Sequence, residues 1–120
     1  MENKRGTNMK KIEAIIREDM FHFVKNAFEE KGFISMTVSD VIGRGQQKGV
    51  SLKLRVGEQR IEFLPKKMIE IVVKDKDLQA VIDTICENGR TGGVGDGKIF
   101  IIPIEEVIRI RTGDKGSEAI

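Results

Sequence analysis

The 120-residue chain predicts a single α+β domain of the ferredoxin-like kind: two βαβ units whose four strands form one antiparallel sheet, with both helices on one face. Two observations predict it. Lys11–Gly32 (KIEAIIREDMFHFVKNAFEEKG) and Met68–Gly89 (MIEIVVKDKDLQAVIDTICENG) match each other at a fixed offset. Each runs from an Ile- and Val-rich stretch through a charged break into apolar residues at helical spacing, and each is followed by a further strand candidate.

The elements follow in order. Residues 1–8 (MENKRGTN) are polar, lack the apolar core of a signal peptide, and read as a flexible extension, so the fold is expected to begin at Met9. A buried strand leads into the break Arg17-Glu18-Asp19, then a helix with Phe21, Val24 and Phe28 on one face. Asp19 suits its start and Gly32 its end, and Ser35–Ile42 is the next strand. The second unit repeats the plan: a strand from Met68, the break Lys74–Asp77, then a helix with Leu78, Val81, Ile82 and Ile85 on one face. Asp77 suits the start of that helix, Gly89 suits its end, and Lys98–Ile104 is the last strand. The connection Gly43–Arg60 is longer than the fold needs. It is either a functional or disordered loop or an extended hairpin, the last because Val50, Leu52, Leu54 and Val56 alternate with Ser51, Lys53 and Arg55. The polar tail from Thr112 reads as a mobile flap. Helices on one face leave the other face open, and its Ile and Val content calls for covering by other copies of the chain.

Composition narrows the function classes. A net charge of +2, six Phe, no Tyr and no Trp argue against a nucleic-acid binder. One cysteine forms no intrachain disulfide, which fits a reducing cytoplasm. No apolar run approaches the roughly 20 residues that span a bilayer.

The strongest chemical signal is Gly92-Gly93-Val94-Gly95-Asp96-Gly97-Lys98. Glycines let backbone N–H groups approach an anion, and Lys98 adds a positive charge. The spacing nearly makes a P-loop, but Ile99 stands where that loop needs Ser or Thr, and a strand follows instead of a helix. Gly43-Arg44-Gly45-Gln46-Gln47-Lys48 lacks the third glycine of a dinucleotide fingerprint. The alternative for the turn is a plain helix-to-strand connection. Arg109-Ile110-Arg111, if extended, aims both guanidiniums one way as a phosphate clamp; otherwise they are two solvated arginines. His22 reads as a surface residue and Cys86 as a packed one. No nucleophile–base set is visible, so an enzyme is not expected.

Together, TGGVGDGKIF, VIRIRTGDKGSEAI, MTVSDVIGRGQQKG and FLPKKMIEIVV resemble the PII nitrogen-regulatory signal proteins, in colinear order over Met9–Ile120. The resemblance implies a homotrimer with ATP or ADP in each intersubunit cleft. It implies phosphate contacts from Gly95, Asp96, Gly97 and Lys98 in a phosphate-binding loop of about 90–98, and from Arg109 and Arg111 in a C-terminal flap of about 109–120. Ile15, Thr37, Gly43, Glu70 and Val72 match the positions lining the rest of the nucleotide site. Gln47 matches the glutamine that helps ligate Mg²⁺, and Lys66 the lysine that pairs with 2-oxoglutarate. Gln46 departs from the arginine common before that glutamine, a place Arg44 is close enough to fill. The effector loop would span about 45–60, and Gln59 replaces its modified tyrosine, which excludes modification on tyrosine in a chain without Tyr. Arg55 matches the arginine that members associated with ammonium transporters insert into the pore. The implied protein is a cytoplasmic regulator of an ammonium transporter, associating with membranes through that partner and not through lipid. Regulation of nitrogenase or glutamine synthetase is the alternative within the family, and slow nucleotide hydrolysis the alternative outside it.

Overall fold

The computed structural model describes residues 8–45 and 63–120, and the backbone of the segments 50–54 and 57–61. Its strands are β1 (Met9–Arg17), β2 (Thr37–Gly43), β3 (Val50–Leu54), β4 (Gly57–Ile61), β5 (Leu64–Lys74) and β6 (Lys98–Pro103). Its helices are α1 (Phe21–Glu30) and α2 (Asp75–Gly89). The main sheet has the order β2-β5-β1-β6 with every neighbour antiparallel, so each βαβ unit is split by the first strand of the other. This is the expected ferredoxin-like arrangement.

The internal repeat is written into the core. Aligning Lys11–Gly32 on Met68–Gly89 pairs Ile12 with Ile69, Ala14 with Ile71, Ile16 with Val73, Val24 with Val81 and Phe28 with Ile85. These residues make up the buried apolar cluster, and the equivalent pair Phe21 and Leu78 packs against it. On β1 and β5 they recur at every second position, so one sheet face meets the helices and the other is left open. Burial of side chains of this size contributes about 1.5–3 kcal/mol each, which is what holds two short helices on the sheet.

The helix ends differ from the sequence expectation in informative ways. Asp19 lies in a 3₁₀ turn (Glu18–Met20) that precedes α1, with its carboxylate on the Arg17 guanidinium at 3.2 Å. Asp77 sits in the first turn of α2, which begins two residues earlier at Asp75. Both acids of that turn face the positive end of the helix dipole. Gly32 closes α1 as expected. It adopts φ +87°, its N–H donates to the Glu29 carbonyl, and the Phe33 N–H donates to the Phe28 carbonyl at 2.9 Å. That is a Schellman ending, and the Phe28–Phe33 edge contact is its usual apolar partner.

β3 and β4 pair as a separate antiparallel hairpin, so the strand-like option for the long connection holds. The tail expected as a flap folds back on itself. Gly116 N–H donates to the Val107 carbonyl, Ile108 bridges Lys115, and Gly116–Ala119 form a 3₁₀ turn.

Candidate functional site

The turn from α2 to β6 owes its shape to one carboxylate. Asp96 accepts the Thr91 hydroxyl at 2.6 Å and the N–H groups of Thr91 and Gly92, both at 2.9 Å. The Thr91 hydroxyl oxygen in turn accepts the Gly93 N–H at 3.1 Å. These bonds, the Thr91 hydroxyl first, hold the Asp96 carboxyl below the usual aspartate range. Gly92, Gly95 and Gly97 adopt φ of +89°, +93° and +97°. At Gly97 space matters as well as conformation, because an added Cβ would stand 1.7 Å from the Ile15 carbonyl oxygen. The turn is therefore pressed directly onto β1.

A cavity of about 530 Å³ opens beside it. Its walls are Gly93–Lys98 from the turn, Ile15 from β1, Gly43–Gly45 after β2, Leu64 and Lys66 from β5, and Phe100 from β6. The Lys66 ammonium donates to the Gly95 carbonyl. Arg17 is the register partner of Lys66, and its guanidinium reaches the edge of Gly95. Burial, and next the Arg17 charge, push the Lys66 amine below the ordinary lysine value. Lys66 with Arg17 beside it, and Arg44 and Lys98 on the cavity walls, give the opening a cationic lining that suits a polyanion.

The chain matches the family model described as nitrogen regulatory protein P-II over residues 9–114. The chain belongs to the P-II family. Nitrogen regulatory protein P-II 2 of Methanothermobacter thermautotrophicus is 50% identical over 112 residues, which is 93% of this chain and 97% of the relative. The P-II protein of Nostoc punctiforme is 52% identical over 112 residues, covering 93% and 100%. A crystal structure of Arabidopsis thaliana PII bound to citrate superposes with a TM-score of 0.77 at 40% identity, covering 95% of this chain and 94% of that one.

Within the P-II frame, the cavity gathers Ile15, Gly43, Lys66, Gly95, Asp96, Gly97 and Lys98. Thr37 and Glu70 are register partners on the same open face, and Val72 follows on β5. They lie further along the sheet, since four residues of strand separate Lys66 from Glu70 by roughly 13 Å. Glu70 is ion-paired with Lys11 at 2.8 Å, which lowers its pKa.

Arg109 and Arg111 do not line this cavity. Their expected extended conformation is also corrected. Arg111 lies within a turn closed by Gly113 N–H on the Arg109 carbonyl at 2.7 Å, and Arg109 points to Asp114 at 3.4 Å. Gly113, with φ +76°, allows the reversal, so the two guanidiniums are not parallel strand neighbours. Gln47 and Arg55 lie outside the described residues, as does Gln46.

Arg17 and Phe100 are not evident as site residues in the sequence, whereas Arg44, expected only as a stand-in beside Gln46, lines the cavity. Arg17 was read as part of a charged break, yet it continues the alternation Lys11, Glu13, Ile15 onto the open face. His22 is exposed and Cys86 half-buried, as expected. Among the described residues no cluster of three metal-ligating side chains occurs, and no helix is long and apolar enough to cross a membrane.

Proposed function

We propose that this P-II chain acts as a homotrimeric signal protein that senses ATP or ADP together with 2-oxoglutarate and reports them through its effector loop. The observation that carries the reading is the cavity itself. One opening on the uncovered sheet face brings a glycine turn, Lys98 and Lys66 together, although they come from separate parts of the chain.

The division of roles follows from charge and position. Backbone N–H groups of the turn and Lys98 suit the phosphates, and Ile15 offers apolar surface beside them, with Val72 further along the same open face. Lys66, backed by Arg17, suits the distal carboxylate of a dianionic keto acid. Mg²⁺, a hard cation, would be held by phosphate and keto-acid oxygens with Gln47. The Arabidopsis relative, recorded with bound citrate, shows that a protein of this family takes up a polycarboxylate. Trimer formation is supported by the apolar edge strand β6, where Phe100, Ile101 and Ile102 are exposed in the single chain. It would also explain why Arg109 and Arg111 stand off the cavity, since a cleft between subunits can be completed from a second copy. The proposed target is an ammonium transporter engaged through Arg55, with regulation of nitrogenase or glutamine synthetase as the competing role.

Calorimetry tests the ligand roles. Lys98→Ala should weaken ATP about tenfold or more, while Lys66→Ala should weaken 2-oxoglutarate selectively. Equal loss of both ligands in Lys66→Ala would end the division, and no heat with millimolar ATP would end the sensing proposal. Pull-down from membrane fractions at low and high 2-oxoglutarate tests the target. Recovery of soluble enzymes alone would remove the transporter.

A further inference from the structure

We infer that Asp96 is a positioning residue and not a ligand contact: with Thr91 it latches the first half of the glycine turn, leaving the second half to meet the anion. The inference rests on the nucleotide reading above and divides its turn into two parts with different tasks.

Both carboxylate oxygens are already engaged. Oδ1 accepts the Thr91 hydroxyl, while Oδ2 accepts the N–H groups of Thr91 and Gly92. The Gly93 N–H is occupied by the Thr91 hydroxyl oxygen. Three consecutive N–H groups, from Thr91 to Gly93, are thus directed inward, away from any ligand. Those of Val94 and Gly95, the two inner residues of the turn, have no acceptor among the described residues. Of these, Gly95 also borders the Lys66 ammonium, with an added Cβ falling 3.5 Å from it.

A carboxylate in an anion-binding turn needs a reason, since its charge repels phosphate. Preorganisation supplies one. Four glycines give the free turn many conformations, and fixing them only on binding would be charged against affinity. Three bonds to one side chain fix them beforehand, and the close seat of Gly97 on Ile15 fixes the far end.

Asparagine separates shape from charge. One amide oxygen can keep the two backbone bonds, and the amide nitrogen can donate to the Thr91 hydroxyl. The expected ATP dissociation constants, measured by calorimetry with and without Mg²⁺, are within about threefold of wild type for Asp96→Asn and about tenfold weaker for Asp96→Ala. Thr91→Val should also weaken ATP, and adding it to Asp96→Ala should weaken binding by less than the product of the two effects. Thermal midpoints measured alongside should be equal in Asp96→Asn and Asp96→Ala to within a few degrees, so that the affinity split is not a folding effect. Wild-type binding with equal losses in Asp96→Asn and Asp96→Ala would overturn the latch in favour of a direct contact through charge. A silent Asp96→Ala, or fully multiplicative losses in the double variant, would overturn it too. A wild-type chain that binds no ATP would instead overturn the nucleotide reading, and the latch as a device of that site.

Discussion

Gly32 and Gly89 stand at equivalent places in the two βαβ units, and they have different tasks. Gly32 takes a left-handed conformation beyond the end of α1, with no atom near an added Cβ. Gly89 is still helical and buried, and an added Cβ would stand 3.4 Å from Val24 Cγ2. The first glycine turns the chain sharply into β2. After the second, Arg90 is extended and the chain runs out into the glycine turn that presses on β1. The two units therefore share a core, residue for residue, and part company where each helix gives way to the next strand. The proposed anion site lies on the side of that difference: the first connection is a compact Schellman ending, while the second is long enough to carry such a site.

The largest test of the difference pairs Gly97→Ala with Gly32→Ala. Both positions have positive φ, so both pay the left-handed strain of about 1 kcal/mol or more. At Gly97 the methyl also meets backbone at 1.7 Å, and relief requires β6 to part from β1. Denaturant unfolding should show about 1 kcal/mol lost in Gly32→Ala and more than about 4–5 kcal/mol, or no folded protein, in Gly97→Ala. Similar losses at the two sites would mean that the second turn is not seated on β1.

The shared core gives the next effect. Phe28→Ala should cost about 3–5 kcal/mol and Ile85→Ala about 2–5 kcal/mol, since both side chains are buried in the same cluster at matching positions. An Ile85→Ala variant as stable as wild type would break the equivalence of the units. It would leave α2 held by its ends and not by its apolar face.

The core was legible because burial imposes a period on the sequence twice over. Ile12, Ala14 and Ile16 alternate, Val24 and Phe28 lie one helical turn apart, and the second unit repeats both patterns. The glycine turn was legible because its composition exceeds what a connection needs. The roles within it were not. Asp96 belongs to a motif that, read as a string, lists it among phosphate contacts, and only the geometry shows its oxygens turned inward to Thr91 and Gly92. Arg17 was hidden because its partner Lys66 is far off in sequence and joins it only through strand register. For Arg109 and Arg111 only the expected extended conformation fails. Two residues of spacing has meaning only in an extended chain, and Gly113 bends this one.

The smallest predicted effect is a titration, and it sharpens the comparison at its centre. In the second connection Asp96 accepts three bonds that favour its ionised form, so its folded-state pKa lies below its unfolded value. The sign follows. The contribution of these bonds to the turn is complete above the ordinary aspartate value, and it is lost as pH falls through the lowered folded-state one. The first connection contains no carboxylate in this role, because its N–H groups donate to the main-chain carbonyls of Ala27, Phe28 and Glu29. In an NMR titration the Asp96 carboxyl carbon should therefore change below the usual aspartate range, and the amides of Thr91 and Gly92 should move with it. The amides of Gly32 and Phe33 should stay still over the same interval. Titration of Asp96 at or above the ordinary value, or Thr91 and Gly92 amides indifferent to it, would show that the second turn keeps its shape without the carboxylate. What distinguishes the two connections would then be their glycines alone.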